Sequence, residues 1–142
     1  MGWLGRLLGS HDTARVGLFV DGPNVLRSEF DVDLADLRTV AEEKGRLAVT
    51  RLYLDEHASP GLIQAAEANG FEVVTTSGDV DVKLAVDATA LVVEEDLDEL
   101  AVASRDTDFK PVVEAAARRD VRTFAIAPGA HGRSDALRNA AA

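Results

Sequence analysis

Short apolar runs alternate with amphipathic stretches along most of this 142-residue chain. The first apolar run, residues 16–20, has the length of a buried β-strand and is followed by Asp21, Gly22 and Pro23. Glycine and proline commonly end strands, so this pattern predicts a strand with a carboxylate at its end. Four later runs predict further strands at residues 47–54, 71–75, 99–103 and 121–126.

The stretches between these runs carry the start and stop signals of helices. Asp33 is an expected N-cap, Ser59 and Pro60 open a second helix, and Asn69 with Gly70 ends it. The predicted helices cover residues 34–44, 60–68, 80–93 and 109–119, with a short turn at 25–30 and a last short helix near 134–139. Because helices that alternate with strands form parallel crossovers, we predict an α/β, three-layer sandwich with a five-stranded parallel sheet.

Composition narrows the class of protein. The chain has no cysteine, which excludes disulfides, thiolate zinc sites and cysteine nucleophiles. Acidic residues number 25 against 15 basic ones, and only three of the bases are lysines, giving a formal charge of −10. Such an acidic, lysine-poor surface is typical of a cytoplasmic protein from a salt-loving organism. It also argues against a broad basic face for nucleic acid, so phosphate contacts should be local or made through metal.

The first residues form a separate unit in this interpretation. Trp3, Leu4, Leu7 and Leu8 would share one side of a short helix. We therefore predict a short helix or flexible segment at residues 1–15, followed by one domain at 16–142. Packing on the domain, a partner or membrane-surface contact, and a homodimer all stay open for this segment. No apolar run approaches the roughly 18 residues of a membrane span.

Acidic residues stand at the ends of predicted strands. Asp21 follows the first strand, and Asp106 and Asp108 follow the fourth. Ligands of open α/β sheets bind outside the carboxyl ends of strands, so these positions suit a site. The alternative is structural, because Asp108 would also serve as a helix cap and Asp106 as a turn residue.

A third acidic stretch opens the helix predicted at 80–93. Asp79 is a natural N-cap, whereas helical spacing puts Asp81 on the same face as Leu84, which should meet the sheet. An inward carboxylate needs a partner. Asp87 lies at the margin of this face, and two roles stay open for it: part of the site, or an exposed ion pair with Lys83.

The predicted topology allows these three acidic stretches to lie close together. If Asp21 and Asp106 share one ligand, the first and fourth strands must be neighbours, which creates a topological switch point with a crevice. Clustered carboxylates raise one another's pKa, and a divalent cation removes that conflict. Oxygen ligands without histidine or cysteine select Mg²⁺ or Mn²⁺ over zinc.

The motifs FVDGPN, VDVKLAVDA and SRDTDF, in this order and spacing, resemble those of the NYN domain family (LabA-like), within the PIN-like nuclease superfamily. With the acidic composition, the chain resembles a haloarchaeal member. The resemblance implies a Rossmann-like sheet of order 3-2-1-4-5, a Mg²⁺ or Mn²⁺ site and ribonuclease activity. It would assign metal binding to Asp21, Asp81, Asp106 and Asp108, with Asn24 and Asp87 as supporting polar groups. Arg105 departs from the family pattern, which commonly has glycine there.

The function predicted from these motifs is metal-assisted hydrolysis of RNA. Asp21 and Asp106 would hold the metal, while Asp108 or Asp81 would orient or deprotonate the attacking water. Asn24 and Ser104 are candidate donors to phosphate oxygens. Basic candidates for phosphate contacts are Arg27, Lys83, Arg105, Lys110 and Arg133.

Two other functions are alternatives to the nuclease. A non-catalytic regulatory module would keep the acidic site to bind RNA, a nucleotide or a protein partner. A phosphatase with an aspartyl nucleophile would need a second aspartate two residues after Asp21, where this chain has Pro23.

Overall fold

Parallel strands run through the centre of the molecule. The computed structural model describes residues 14–26, 33–104, 109–127 and 138–141. The described strands are β1 (Arg15–Asp21), β2 (Arg46–Asp55), β3 (Glu72–Thr76), β4 (Glu99–Ala103), β5 (Arg122–Ala127) and β6 (Arg138–Ala141). The described helices are α1 (Gly22–Val25), α2 (Leu34–Glu42), α3 (Pro60–Ala68), α4 (Val80–Glu94) and α5 (Lys110–Ala117).

The strand order confirms the predicted fold class. The sheet reads β3-β2-β1-β4-β5-β6, and its first five strands pair in parallel. The expected neighbours β1 and β4 pair from Val16 with Glu99 to Val20 with Ala103. The chain leaves β1 towards β2 and returns to the other side of β1 as β4. The switch point therefore lies between these two strands.

The last predicted helix is wrong at its carboxyl end. Residues 138 and 139 belong to β6, which pairs antiparallel with β5 from Phe124 with Ala141 to Ala127 with Arg138. The open hydrogen-bonding edge of β5 accepts this segment, so tertiary pairing overrides the local helix signal. Residues 134–137 lie outside the described ranges, as do residues 1–13 and most of the turn predicted at 25–30.

Side chains alternate between the two faces of β1. Val16, Leu18 and Val20 belong to the core beneath α2 and α3. Phe19 belongs to the opposite core, which includes Leu84 of α4 and other side chains of α4 and α5. This alternation gives the three layers and directs Asp21, two residues after Phe19, towards the α4 layer.

Two of the predicted helix starts are confirmed by hydrogen bonds. The Asp33 carboxylate accepts a bond from the Asp36 N–H at 2.9 Å, and the Ser59 hydroxyl accepts one from the Leu62 N–H at 3.2 Å. These caps satisfy amide groups that the first helical turn leaves without a backbone partner. Among the described residues, no helix is both long and apolar enough to cross a membrane.

Gly22 allows the chain to turn sharply after Asp21. A Cβ atom at Gly22 would lie 2.5 Å from Leu54 Cδ2 and 2.6 Å from the Tyr53 carbonyl oxygen. A larger residue would therefore push α1 away from β2, together with the cleft residues on either side of it.

We predict that Gly22→Ala lowers the free energy of unfolding by about 1–3 kcal/mol, because backbone and core atoms must move to admit the methyl group. Gly61→Ala is the matched control, since a Cβ at Gly61 in α3 meets no atom within 4 Å. It should be neutral or raise stability by up to about 1 kcal/mol. Urea unfolding measures both, and equal stability of the two variants would contradict the packing argument.

Candidate active site

Asp21 occupies the carboxyl end of the central strand. Its side chain is only 5 % exposed, although it ends a strand at the edge of the core. Strand alternation places it on the face of the sheet that α4 covers. A buried carboxylate requires polar or cationic partners, so Asp21 is not an exposed turn residue.

An open cleft of about 340 Å³ lies at this edge of the sheet. Four of the residues that line it are aspartates, and no lysine or arginine is among the lining residues that the structure describes. The lining consists of Asp21, Pro23, Asn24, Asp55, Gly78, Asp79, Val80 and Asp81. The cleft therefore concentrates negative charge at the switch point.

Asp55 is a cleft residue that sequence reasoning missed. It ends β2, and strand alternation places it on the same face as Tyr53, the register partner of Asp21. Its Oδ1 accepts a hydrogen bond from the His57 N–H at 2.9 Å, which fixes the carboxylate at the start of the turn. The available signal was the one used for Asp21, an acid directly after an apolar strand.

The amino end of α4 supplies the two other acids. Asp79 stands at the predicted N-cap position, but its side chain makes no capping hydrogen bond. Asp81 was expected to point inward with Leu84, and this expectation is wrong: Leu84 is buried, whereas Asp81 is exposed. The first turn of α4 projects towards the cleft, and Asp81 Oδ1 accepts a bond from the Val82 N–H at 2.9 Å.

Two predicted polar residues also lie near Asp21. Asn24, in α1, is half-buried and lines the cleft. Ser104 is buried directly after Ala103, the register partner of Val20. In parallel strands this register brings Ser104 beside Asp21, and its N–H donates to the Ile126 carbonyl at 3.1 Å.

The described residues do not by themselves form a metal-binding group. Within residues 14–26, 33–104, 109–127 and 138–141, no three histidine, aspartate or glutamate side chains are arranged to hold one ion. Five predicted site residues lie outside these ranges: Arg27, Arg133, Arg105, Asp106 and Asp108. The last three follow Ser104, so they continue from the carboxyl end of β4 that pairs beside Asp21.

Asp87 lies in an ion-pair network that joins α4 to β2. Its Oδ2 accepts hydrogen bonds from the Tyr53 hydroxyl at 3.0 Å and from Arg51 Nη1 at 3.3 Å. Lys83 Nζ lies 3.2 Å from Asp87 Oδ1, which confirms the predicted pair. The Asp87 side chain is only 15 % exposed, however, so the expectation of an exposed pair is wrong.

These contacts separate Asp87 and Lys83 from the cleft lining. Asp87 fixes α4 against β2 and thereby positions the amino end of the helix, where Asp79 and Asp81 stand. Of the other predicted phosphate contacts, Lys110 is exposed at the start of α5, and Arg133 lies outside the described residues.

Comparison with known proteins agrees with this geometry. Residues 15–142 match the model of the NYN domain. The chain belongs to the NYN domain family. NYN domains fall in the PIN-like nuclease superfamily, whose members are generally ribonucleases that use divalent metals.

A relative of this NYN domain extends the comparison. Over 128 residues the chain is 44 % identical to a Methanocaldococcus jannaschii protein named uncharacterized protein MJ0482. The match covers 89 % of this chain and 52 % of the relative. The chain therefore spans about half the length of the curated relative it matches.

Tyr53 gives the NYN domain a pH-sensitive group beneath the cleft. Burial raises the pKa of its hydroxyl well above the ordinary value of 10.0. The hydrogen bond to Asp87 raises this pKa further, whereas the contact with Arg51 lowers it. Its ring also stacks on Phe19, with 6.4 Å between the ring centroids. Ionised Tyr53 is therefore disfavoured in the folded domain.

We predict that Tyr53 does not ionise near pH 10 until the NYN domain unfolds. Because its folded pKa is raised, its contribution to the free energy of unfolding is complete below about pH 10 and is lost as pH rises further. Tyr53 is the only tyrosine, so ultraviolet absorbance of tyrosinate reports it alone. Tyr53→Phe should lose less stability between about pH 9 and 11 than wild type. Native titration near pH 10 would contradict the assignment.

Proposed function

We propose that this NYN domain is a Mg²⁺- or Mn²⁺-dependent ribonuclease with its active site in the cleft at the carboxyl end of β1. The observation that carries the proposal is the buried Asp21 carboxylate in a cleft shared with Asp55, Asp79 and Asp81. Membership of a superfamily of nucleases supports RNA as the substrate class.

The donor chemistry of the cleft fits a hard divalent cation. All four charged groups among the described lining residues are carboxylates, and the Asn24 side chain adds an amide oxygen. Mg²⁺ and Mn²⁺ prefer oxygen ligands, and Mg²⁺ retains several waters, so few protein ligands suffice. Asp21 and Asp55 would hold the cation from the sheet, with Asp106 and Asp108 as the proposed ligands from the segment after β4.

Hydrolysis of a phosphodiester forms a bond between a water oxygen and phosphorus, and it breaks the bond between phosphorus and a sugar oxygen. When bound, a divalent cation supplies positive charge that polarises the phosphate and lowers the pKa of water. Asp81, exposed on the cleft wall, would accept the proton of the attacking water. Asn24 and Ser104 would donate hydrogen bonds to phosphate oxygens.

The negative charge of the chain limits the surface on which RNA could bind. A formal charge of −10 opposes binding over a broad surface, so the contacts would be confined to the cleft and its margins. Arg27, three residues after Asn24, and Arg105, directly after Ser104, are the proposed phosphate contacts. High ionic strength would screen the repulsion between RNA and this acidic surface, which agrees with the proposed haloarchaeal origin and cytoplasmic location. We also propose that the domain is of the LabA-like subtype.

A regulatory module is the second candidate. It rests on the same acidic cleft, which is lined by Asp21, Asp55, Asp79 and Asp81. Such a module would bind RNA, a nucleotide or a protein in the same cleft without cleaving a bond. A regulatory module would bind its ligand in the cleft even under conditions in which RNA is not hydrolysed.

We expect Asp21→Asn to lower the rate of RNA cleavage by about 10³-fold or more while the fold is retained, because it removes the central carboxylate of the site. Cleavage of labelled RNA with Mn²⁺ or Mg²⁺, at low and at molar salt, measures the effect. Glu67→Gln, at an exposed position of α3, is the matched control and should cleave like wild type.

Two outcomes would contradict the nuclease. Wild-type protein that binds RNA without cutting it under any of these conditions would favour the regulatory module. Equal cleavage by wild type and Asp21→Asn would place the chemistry outside this cleft.

Asp55, which lines the cleft at the end of β2, offers a separate test of the proposed metal site. Asp55→Asn should weaken Mn²⁺ binding by about tenfold, since it removes a negative charge but keeps an oxygen that accepts from the His57 N–H. Calorimetric titration of Mn²⁺ into the two proteins measures the change. Unchanged affinity would show that Asp55 serves only the turn at residues 55–57.

A further inference from the structure

Strand β2 is longer than β3, its outer neighbour, so part of its edge has no strand beside it. β2 has ten residues and β3 has five, and the two strands pair in parallel only from Arg51 onwards. Among the strands that the structure describes, none pairs with residues 47–50 on the side of β3. The backbone groups on that side form an open hydrogen-bonding edge.

A slot of about 510 Å³ runs along this open edge. Arg38 lines it from α2, on one face of the sheet, and Leu91 lines it from α4, on the other face. Gly70 and Glu72, where the chain enters β3, close one end. The slot thus occupies the place that a longer β3 would fill. This β2 slot is lined by Arg38, residues 47–51, Gly70, Glu72, Leu91 and Glu95.

The shape of the β2 slot suits one extended chain. Neighbouring strands lie about 4.8 Å apart, and four residues of extended chain span about 13 Å, which is the length of the unpaired residues 47–50. A peptide that adds a strand to a sheet edge gains main-chain hydrogen bonds, and its alternate side chains face the two layers. An added strand is therefore the ligand that the slot fits.

The closed end of the slot determines the direction of such a strand. The Arg38 Nη1 donates to the Asn69 carbonyl at 2.9 Å, so its guanidinium lies beside Gly70 at this end. A strand parallel to β2 would bring its carboxyl end to Arg38, whereas an antiparallel strand would bring its amino end. A guanidinium attracts a carboxylate and repels an ammonium group. The charge therefore favours a parallel strand that ends in a free carboxylate.

The ion pairs around the slot leave Arg38 as the cation for this carboxylate. Both acids of the lining are paired with arginines: Glu72 Oε1 lies 3.1 Å from Arg51 Nε, and Glu95 Oε1 lies 3.7 Å from Arg15 Nη2. Arg51 also contacts Asp87 at 3.3 Å, so its guanidinium is committed on the α4 side. The pair that Arg38 makes with Glu42 is longer, 3.8 Å, and both side chains are partly exposed.

The α4 side of the slot is apolar. Ala48, Val49 and Leu91 are half-buried there, and they pack at the margin of the core that contains Leu84. A side chain of the added strand that faces α4 would bury its surface against these three residues, so an apolar residue is favoured at that position.

We propose that the β2 slot binds the C-terminal segment of a partner protein, which adds a parallel strand to residues 47–50. The terminal carboxylate of the segment lies at Arg38, and an apolar side chain near the terminus packs on Val49 and Leu91. Residues 47–50 lie towards the amino end of β2, so the bound segment leaves the acidic cleft at the carboxyl ends of the strands open. The inference is independent of nuclease activity.

A displayed library of seven-residue peptides with free carboxyl ends tests the proposal. Selection on the whole chain should enrich peptides with an apolar residue near the C-terminus. Amidation of a selected peptide should lower its affinity about tenfold or more, measured by fluorescence anisotropy, because it removes the charge that meets Arg38. A selection that enriches no peptide, or equal affinity of the free acid and the amide, would overturn the proposal.

Variants and amide hydrogen exchange locate the bound peptide. Arg38→Gln and Leu91→Glu should each weaken binding about tenfold or more. The matched controls Arg118→Gln and Val93→Glu, at exposed positions outside the slot, should bind like wild type. In the wild type, the peptide should slow exchange within residues 47–50. Protection elsewhere with these amides unchanged would overturn the proposal, as would self-association of the chain that Leu91→Glu abolishes, since a second copy would then occupy the slot.

Discussion

The parallel pairing of β1 with β4 is the constraint on which the site depends. It reverses the direction of strand addition and leaves a crevice where Asp21 ends one strand and Ser104 follows the other. Hydrophobic packing on both faces of β1 holds this geometry, so the energy of the core is what keeps the Asp21 carboxylate buried.

Helix α4 connects the core to the chemistry. Leu84, Ala88 and Val92 anchor it on the sheet, and Asp87 ties it to β2 through Tyr53 and Arg51. Its amino end then carries two carboxylates to the cleft, while its outer face carries exposed valines. One helix thus joins a site of high negative charge to an exposed apolar surface.

The alternation of strands and helices and the place of Asp21 were predictable from local patterns, namely apolar runs and acids at strand ends. The strand order was predictable only through the resemblance to the NYN domain family. Asp55 was not predicted, although it also follows an apolar strand directly, because it lies outside the three acidic motifs. The orientation of Asp81 depends on where α4 begins relative to the edge of the sheet, and the contacts of Asp87 with Tyr53 and Arg51 depend on how α4 packs on β2. Helical periodicity alone fixes neither. The strand at 138–141 depends on the free edge of β5, a tertiary feature that a local helix signal does not contain.

The central claim is that the cleft at the carboxyl ends of β1 and β4 binds the divalent cation of a nuclease. Crystals of the protein grown with Mn²⁺ and measured at the manganese absorption edge would locate the ion through its anomalous scattering. A peak is expected within coordination distance of an Asp21 carboxylate oxygen, and no such peak is expected in Asp21→Asn crystals. An ion bound elsewhere, with none beside Asp21 at saturating Mn²⁺, would contradict it.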